Sequence, residues 1–251
     1  MPITKAVVLA GSNKFPYLNS TLPSCVLDCE NMLRWYGATF DIKDCPYLLL
    51  RNERFTVFNF FNGIARLIQA YKDIRDIAIG FSSHGTVGPV DGQNHAMVVT
   101  YGSRWDDIKN SFILDSALAA MAAQFPNVRF WITADICESA DLAFKIVGRT
   151  AINKFIDPPE HVQDVIDHNG GMSAVRSIMP TLPNVAYVSG TGGQGYYSID
   201  EGNGGAFTKH WTKMLKPVGS AVEIATMLDK AMDPQQQPQP HGGLKNEKWF
   251  S

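Results

Sequence analysis

The pair of side chains in this sequence best suited to covalent chemistry is a thiol and an imidazole. Cys137 stands just past the apolar run 128–134, inside Thr133-Ala-Asp-Ile-Cys-Glu-Ser-Ala140, and His84 stands just past a second run, 76–82, inside Ser83-His-Gly85. A thiol attacks a carbonyl only as its thiolate, and a nearby imidazole can take its proton and lower the cysteine pKa from about 8.5. Gly85 has no Cβ, so its N–H can come close to a substrate oxygen; with the N–H of Cys137 it would make a two-donor oxyanion hole. Either residue alone is more often structural, since free cysteine is among the most buried residue types. The two together, each at the end of a strand-like run, point to nucleophilic catalysis.

For the pair to meet, the two runs must be neighbouring parallel strands, because open α/β sheets gather their chemistry in a crevice at the carboxyl ends of the strands. The surrounding pattern fits. Strand-like segments 5–10, 47–50, 76–82, 96–101, 128–134 and 184–189 alternate with segments of helical spacing at 24–36, 56–71, 112–124, 206–215 and 220–232. Ser24 is placed to cap the first helix, and Phe58, Phe61, Ile64, Leu67 and Ile68 make one face of the second. Alternation of this kind predicts an α/β sandwich, a mostly parallel sheet covered by helices on both faces. From 141 to 183 the periodicity weakens, with Asp157-Pro-Pro159, Asn169-Gly-Gly171 and Met179-Pro-Thr-Leu-Pro183 as turn signals. One domain is expected, in three parts: 1–140 with the Cys/His pair, an excursion 141–183, and 184–251. The tail 233–240, rich in Pro and Gln, is expected not to be helical.

Composition narrows the function. The chain has 251 residues, 45% of them hydrophobic, enough for one continuous core. Its 22 basic and 24 acidic residues are interspersed, giving a net charge of −2 and no basic stripe, which argues against nucleic acid and anionic membranes as partners. No apolar stretch approaches the roughly 18 residues needed to span a bilayer. The first ten residues run directly into strand-like sequence without a basic region or cleavage site, so a cytoplasmic location is expected. Cys25, Cys29, Cys45 and Cys137 lack the spacing of a disulfide framework, and no second Cys or His pair follows to complete a zinc site with Cys25 and Cys29.

Five segments in register resemble the caspase-like cysteine peptidases, and most closely the metacaspases and their prokaryotic relatives. They are Phe81-Ser-Ser-His-Gly85, Ala134-Asp-Ile-Cys-Glu-Ser139, Gly204-Gly-Ala-Phe-Thr208, Ser24-Cys-Val-Leu-Asp-Cys-Glu-Asn-Met32 and Gln236-Gln-Pro-Gln239. The first three compare with Ser-Gly-His-Gly, Asp-x-Cys-His-Ser-Gly and Gly-Ala-Phe-Thr in that family, the other two with Gly-Cys-x-x-Asp-Ala-x-x-Met and Gln-x-Pro-Gln. The resemblance spans nearly the whole chain. Glu138 stands where His is usual, Ala140 where Gly is usual and Ser83 where Gly is usual, so the loops around the pair are expected to be shaped differently.

The resemblance implies a cysteine endopeptidase with Cys137 as nucleophile and His84 as general base. It also implies a pocket for the substrate residue before the cut bond, built from Asp28, Ser82 and Asp135 with Cys25 nearby. Residues i and i−2 of a strand share a face, which puts Asp135 beside Cys137 and Ser82 beside His84. Carboxylates there would select Arg or Lys through charge-assisted hydrogen bonds, each worth about 1.5–3 kcal/mol. Many metacaspases bind Ca²⁺ through a carboxylate cluster, for which Asp91, Asp106, Asp107 and Asp115 are the corresponding residues. No other cofactor is expected. Arg149, Lys154 and Arg176 are basic positions in the excursion at which such an enzyme could cut itself. The implied partners are protein or peptide substrates and the implied state is a monomer. The alternative, motivated by Glu138 and Ala140, is a weak or inactive member that binds or regulates.

Overall fold

The computed structural model describes residues 2–40, 45–136, 152–171, 182–191, 198–213, 219–232 and 236–250. Strand β1 (Lys5–Gly11) is followed by a small hairpin, β2 (Lys14–Phe15) and β3 (Ser20–Thr21), that leads into helix α1 (Cys25–Phe40). Strand β4 (Tyr47–Arg51), helix α2 (Val57–Ala70) and strand β5 (Asp76–Ser82) come next. An antiparallel ribbon then leaves the sheet: β6 (Gly85–Val90), β7 (Gln93–Val99), the short helix α3 (Ile108–Ser111) and β8 (Phe112–Leu114). Helix α4 (Asp115–Gln124) returns the chain to β9 (Arg129–Asp135). Beyond it lie β10 (Ile152–Asn153), α5 (Glu160–His168), β11 (Val185–Ser189), β12 (Ile199–Asp200), α6 (Ala206–Lys213), α7 (Ala221–Ala231) and β13 (Gln239–His241).

The central sheet has the order β13-β11-β9-β5-β1-β4, with all neighbours parallel except β13. Its inner strands are apolar on both sides, as a sheet covered on two faces requires. Ala6, Val8 and Ala10 of β1 and Ile77, Ile79 and Phe81 of β5 pack in one core with Phe60 and Ile64 of α2 and Leu118 and Met121 of α4. Val7, Leu9, Ala78 and Trp131 face the other way, onto Met32 and Tyr36 of α1, Trp211 of α6, Ile224 of α7 and the terminal Trp249 and Phe250. The molecule is therefore the three-layer α/β sandwich expected. Among the described residues no helix is long and apolar enough to cross a membrane.

Several local expectations shift. The helix expected over 112–124 begins only at Asp115, because Phe112, Ile113 and Leu114 are buried one after another and pair with Val99, Val98 and Met97 as a strand. A short apolar run does not distinguish the two states by periodicity. The apolar face of α2 is rotated, with Phe60 fully buried and Phe58 73% exposed. Ser24 precedes α1, but its hydroxyl donates to the Asp200 carboxylate. Ser220, by contrast, caps α7 in a reciprocal capping box with Glu223. Within the excursion, α5 seats Val162 and Ile166 on Val87 of the ribbon.

Candidate active site

The ends of β5 and β9 set the site. The two strands pair in parallel with Ser82 opposite Asp135, and the chain continues from these residues to His84 on one side and through Ile136 on the other. Cys137 itself, with Glu138 and Ala140, lies outside the described residues, as do Arg149 and Arg176. The His84 loop is held on both sides. Ser83 N–H donates to Asp135 O at 3.5 Å, Val99 N–H donates to His84 O at 3.0 Å, and Ser83 Oγ donates to Val99 O at 2.5 Å. The hydroxyl that stands where the family has glycine thus ties the loop to the ribbon.

His84 is buried, with its Nε2 2.8 Å from Ser20 Oγ and its Nδ1 without a hydrogen-bond partner among the described residues. Burial pushes its pKa down to about 4; the Lys154 ammonium acts in the same direction, and the Lys154 carbonyl and Asp200 act against it. The ring is consequently neutral at pH 7 and able to accept a proton.

Beside it, Asp28 from the first turn of α1, Ser82 and Asp135 converge, all fully buried. They converge on a lysine of this same chain. Lys154 Nζ lies 2.9 Å from Ser82 Oγ, 3.2 Å from Asp135 Oδ1 and 3.3 Å from Asp28 Oδ2, and the whole lysine is excluded from solvent. Burial works against the ammonium, but the carboxylates of Asp135, Asp28 and Asp200 more than offset it and hold the lysine above its ordinary pKa. Asp28 is pushed up to about 6, by burial first and by Asp135, against the pull of Lys154 and hydrogen bonds from Ser82 and Gly205. Cys25 sits against this group as a neutral thiol, pushed up to about 12 by burial.

The remaining lone pairs are filled from the segment preceding and opening α6. Gly205 N–H donates to both oxygens of Asp28 at 2.9 and 3.0 Å. Thr208 donates to Asp135 Oδ2 from its N–H at 3.1 Å and its hydroxyl at 2.7 Å, while Ser198 Oγ donates to Asp135 Oδ1. This gives the Gly204–Thr208 motif a physical role as one wall of the pocket. A Cβ on Gly205 would collide with the Asp135 carboxylate and lie 2.5 Å from Lys154 Nζ, so only glycine leaves room for a cation.

The backbone around Lys154 is held as tightly as its side chain. Lys154 N–H donates to Ser198 O at 3.0 Å, Ile156 N–H donates to Gly85 O at 3.0 Å, and Gly85 N–H donates to Lys154 O at 2.8 Å. Upstream, Ile152 and Asn153 pair antiparallel with Asp200 and Ile199. The N–H expected to hold a substrate oxygen therefore holds the carbonyl of the lysine whose side chain fills the acidic pocket.

A caspase-domain model matches residues 4–247. The chain belongs to the caspase-domain family. That family, Peptidase C14, is one of cysteine peptidases, and solved structures agree on the fold. Protein GSU0716 from Geobacter sulfurreducens superposes with a TM-score of 0.67 at 16% identity, over 96% of this chain and 97% of that one. The Drosophila initiator caspase Dronc gives 0.54 at 11% over 98% and 85%, and caspase-1 from Spodoptera frugiperda 0.51 at 11% over 96% and 87%. No match was found among curated proteins.

The four carboxylates expected around calcium are not gathered: Asp91 pairs with Lys109 at 2.8 Å, Asp106 and Asp107 with Arg104 at 3.5 and 3.6 Å, and Asp115 with His95 at 2.9 Å. Among the described residues no three His, Cys, Asp or Glu are placed to hold a metal ion, Cys25 and Cys29 included. Sequence reasoning also missed Ser20, Ser198, Asp200 and Thr208. Thr208 lay inside a recognised motif, whereas nothing marks a hydroxyl in a turn such as Ser20 as functional.

Proposed function

We propose that this caspase domain is a cysteine endopeptidase of metacaspase type that cuts after lysine or arginine. The observation that carries the reading is Lys154, a basic side chain in the Asp28–Ser82–Asp135 pocket with its carbonyl on the Gly85 N–H. A substrate following the same path would meet main-chain partners on both sides and a carboxylate pair for its cation.

In this reading His84 Nδ1 takes the proton of Cys137, and the sulfur attacks the carbonyl carbon of the basic residue. Gly85 N–H stabilises the oxyanion, the amine leaves with the proton from the imidazolium, and water hydrolyses the thioester. The Lys154–Phe155 bond is the first to be cut. Until that segment is cut or withdrawn, Lys154 keeps other substrates out of the pocket, so the intact chain is a self-blocked precursor. The edge strand β13, three residues long with Pro240 at its centre, offers few donors for edge pairing, which supports a monomer.

The test is mass spectrometry of wild-type and Cys137→Ala protein after incubation, together with fluorogenic peptides carrying Lys, Arg or Asp before the bond. Fragments ending at Lys154 in the wild type alone, and turnover of Lys and Arg peptides, are expected. Turnover of Asp peptides alone would refute the pocket assignment. The same Lys154 favours a second reading, a caspase domain whose filled pocket serves regulation without turnover. Failure of Cys137 to react with a lysyl chloromethylketone, in both wild type and Lys154→Ala, would select it.

A further inference from the structure

We propose that Ser20 is a positioning residue for His84: its hydroxyl accepts the Nε2 proton and so leaves the Nδ1 lone pair toward the cleft. This rests on the reading of His84 as the base for Cys137.

The geometry is local and specific. Ser20 Oγ lies 2.8 Å from His84 Nε2, and Nδ1 is buried without a hydrogen-bond partner among the described residues. A neutral imidazole carries one N–H and one lone pair, and the hydrogen bond made by one nitrogen decides which form is present. If Ser20 accepts from Nε2, the unpartnered atom is an acceptor awaiting a proton. If Ser20 donated instead, Nδ1 would carry the ring proton, with the Lys154 carbonyl to receive it, and could take no proton from a thiol. Proton transfer then strengthens the same contact, because an imidazolium N–H donates more strongly than a neutral one.

The hairpin that carries Ser20 is built to hold it there. Phe15 and Ser20 are cross-strand partners, and Phe15, 1% exposed, sets its ring 4.8 Å from that of His84. One face of the imidazole is thus packed while Nε2 meets the hydroxyl. Asn19 takes the left-handed conformation that closes the turn, at φ 48°. Asn13 fixes the base: its side chain accepts from Val26 N–H at 2.9 Å and donates to Pro23 O at 3.1 Å, and its own N–H donates to Asn52 Oδ1 at 2.9 Å. The charged groups acting on the ring are the Lys154 ammonium in the cleft and the Asp200 carboxylate at the end of β12. Neither replaces the hydroxyl at Nε2.

The test reads the thiol directly and needs no peptide turnover. The rate of Cys137 alkylation by iodoacetamide is followed by mass spectrometry from about pH 4 to pH 9 in the wild type, Ser20→Ala, Ser20→Thr and His84→Ala. Cys25 and Cys29, buried in α1, report any loss of folding in the same spectra. Ser20→Ala is expected to slow Cys137 alkylation near neutral pH by about tenfold and to move the acid limb of the profile to lower pH, with Ser20→Thr restoring both. A wild-type profile in Ser20→Ala would overturn the positioning role while leaving the peptidase reading intact. A wild-type profile in His84→Ala would overturn both.

Discussion

Two groups of carboxylates in this molecule behave in opposite ways. Asp28 and Asp135 come from distant parts of the chain, yet they meet on one ammonium because α1 begins and β9 ends at the same rim of the sheet. Asp91, Asp106, Asp107 and Asp115 are near one another in sequence, yet Asp91 turns to Lys109, Asp106 and Asp107 to Arg104 and Asp115 to the His95 ring. Strand register and helix placement, more than sequence proximity, decide whether charges cooperate. The two groups also differ in solvent. The first is fully buried and every oxygen has a donor, whereas in the second the side chains of Asp91 and Asp106 are 74% and 78% exposed and Asp115 alone is buried.

The sharpest way to break this contrast is to remove a buried member. Asp135→Ala leaves the buried Lys154 ammonium with Asp28 as its one contacting carboxylate and takes the acceptor from Thr208, so a loss of about 3–5 kcal/mol in unfolding free energy is expected. Denaturant titration of the intact chain measures it. If Asp135→Ala/Lys154→Met restores most of that loss, the cost lay in the under-compensated charge; no recovery would place it in the Thr208 contacts.

Gly205→Ala probes the same pocket by volume. Its methyl group would enter the space between Asp135 and Lys154, with an expected cost of about 1–3 kcal/mol from overpacking. Turnover of lysyl and arginyl peptides is expected to fall far more than stability does, since the methyl occupies the place of the substrate cation. Unchanged turnover would mean that substrates bind elsewhere.

Much of this architecture was legible in the sequence. The run 76–82 is strand β5 to the residue, the apolar runs at 5–10 and 128–134 are its two neighbours in the sheet, and the run at 184–189 is the strand beyond β9. Continuous burial on two faces leaves an unmistakable apolar signature there. The Asp28, Ser82 and Asp135 pocket was accessible through resemblance and strand alternation. Its occupant was not, because a lysine buried by tertiary contacts looks in sequence like any solvated lysine. The ribbon strand β6 was missed for a related reason: Gly85-Thr-Val-Gly-Pro-Val90 reads as a loop, and only pairing with β7 makes it a strand.

A smaller effect separates the pocket from the surface by pH. With an ammonium in place Asp28 titrates near 6, and without that cation it titrates higher, because burial and Asp135 both favour its protonated form. Deprotonated Asp28 binds the cation, so affinity for a lysyl peptide weakens as the pH is lowered toward and through about 6. KM is expected to rise on the acid side, and Asp28→Asn to be weak and flat across the same range. A KM insensitive to pH in the wild type would take Asp28 out of the binding pocket.

The smallest change belongs to the exposed group. Asp91→Asn breaks the Lys109 pair, which is solvated on both sides and worth about 0.2–1 kcal/mol at most. Raising the salt concentration screens such a pair but hardly touches the Lys154 cluster. Denaturation midpoints at low and high salt are therefore expected to converge for Asp91→Asn and the wild type, and to stay apart for Asp135→Ala and the wild type. Convergence in both cases would mean that the pocket is open to water, and the contrast between buried and exposed carboxylates would then fail at its physical root.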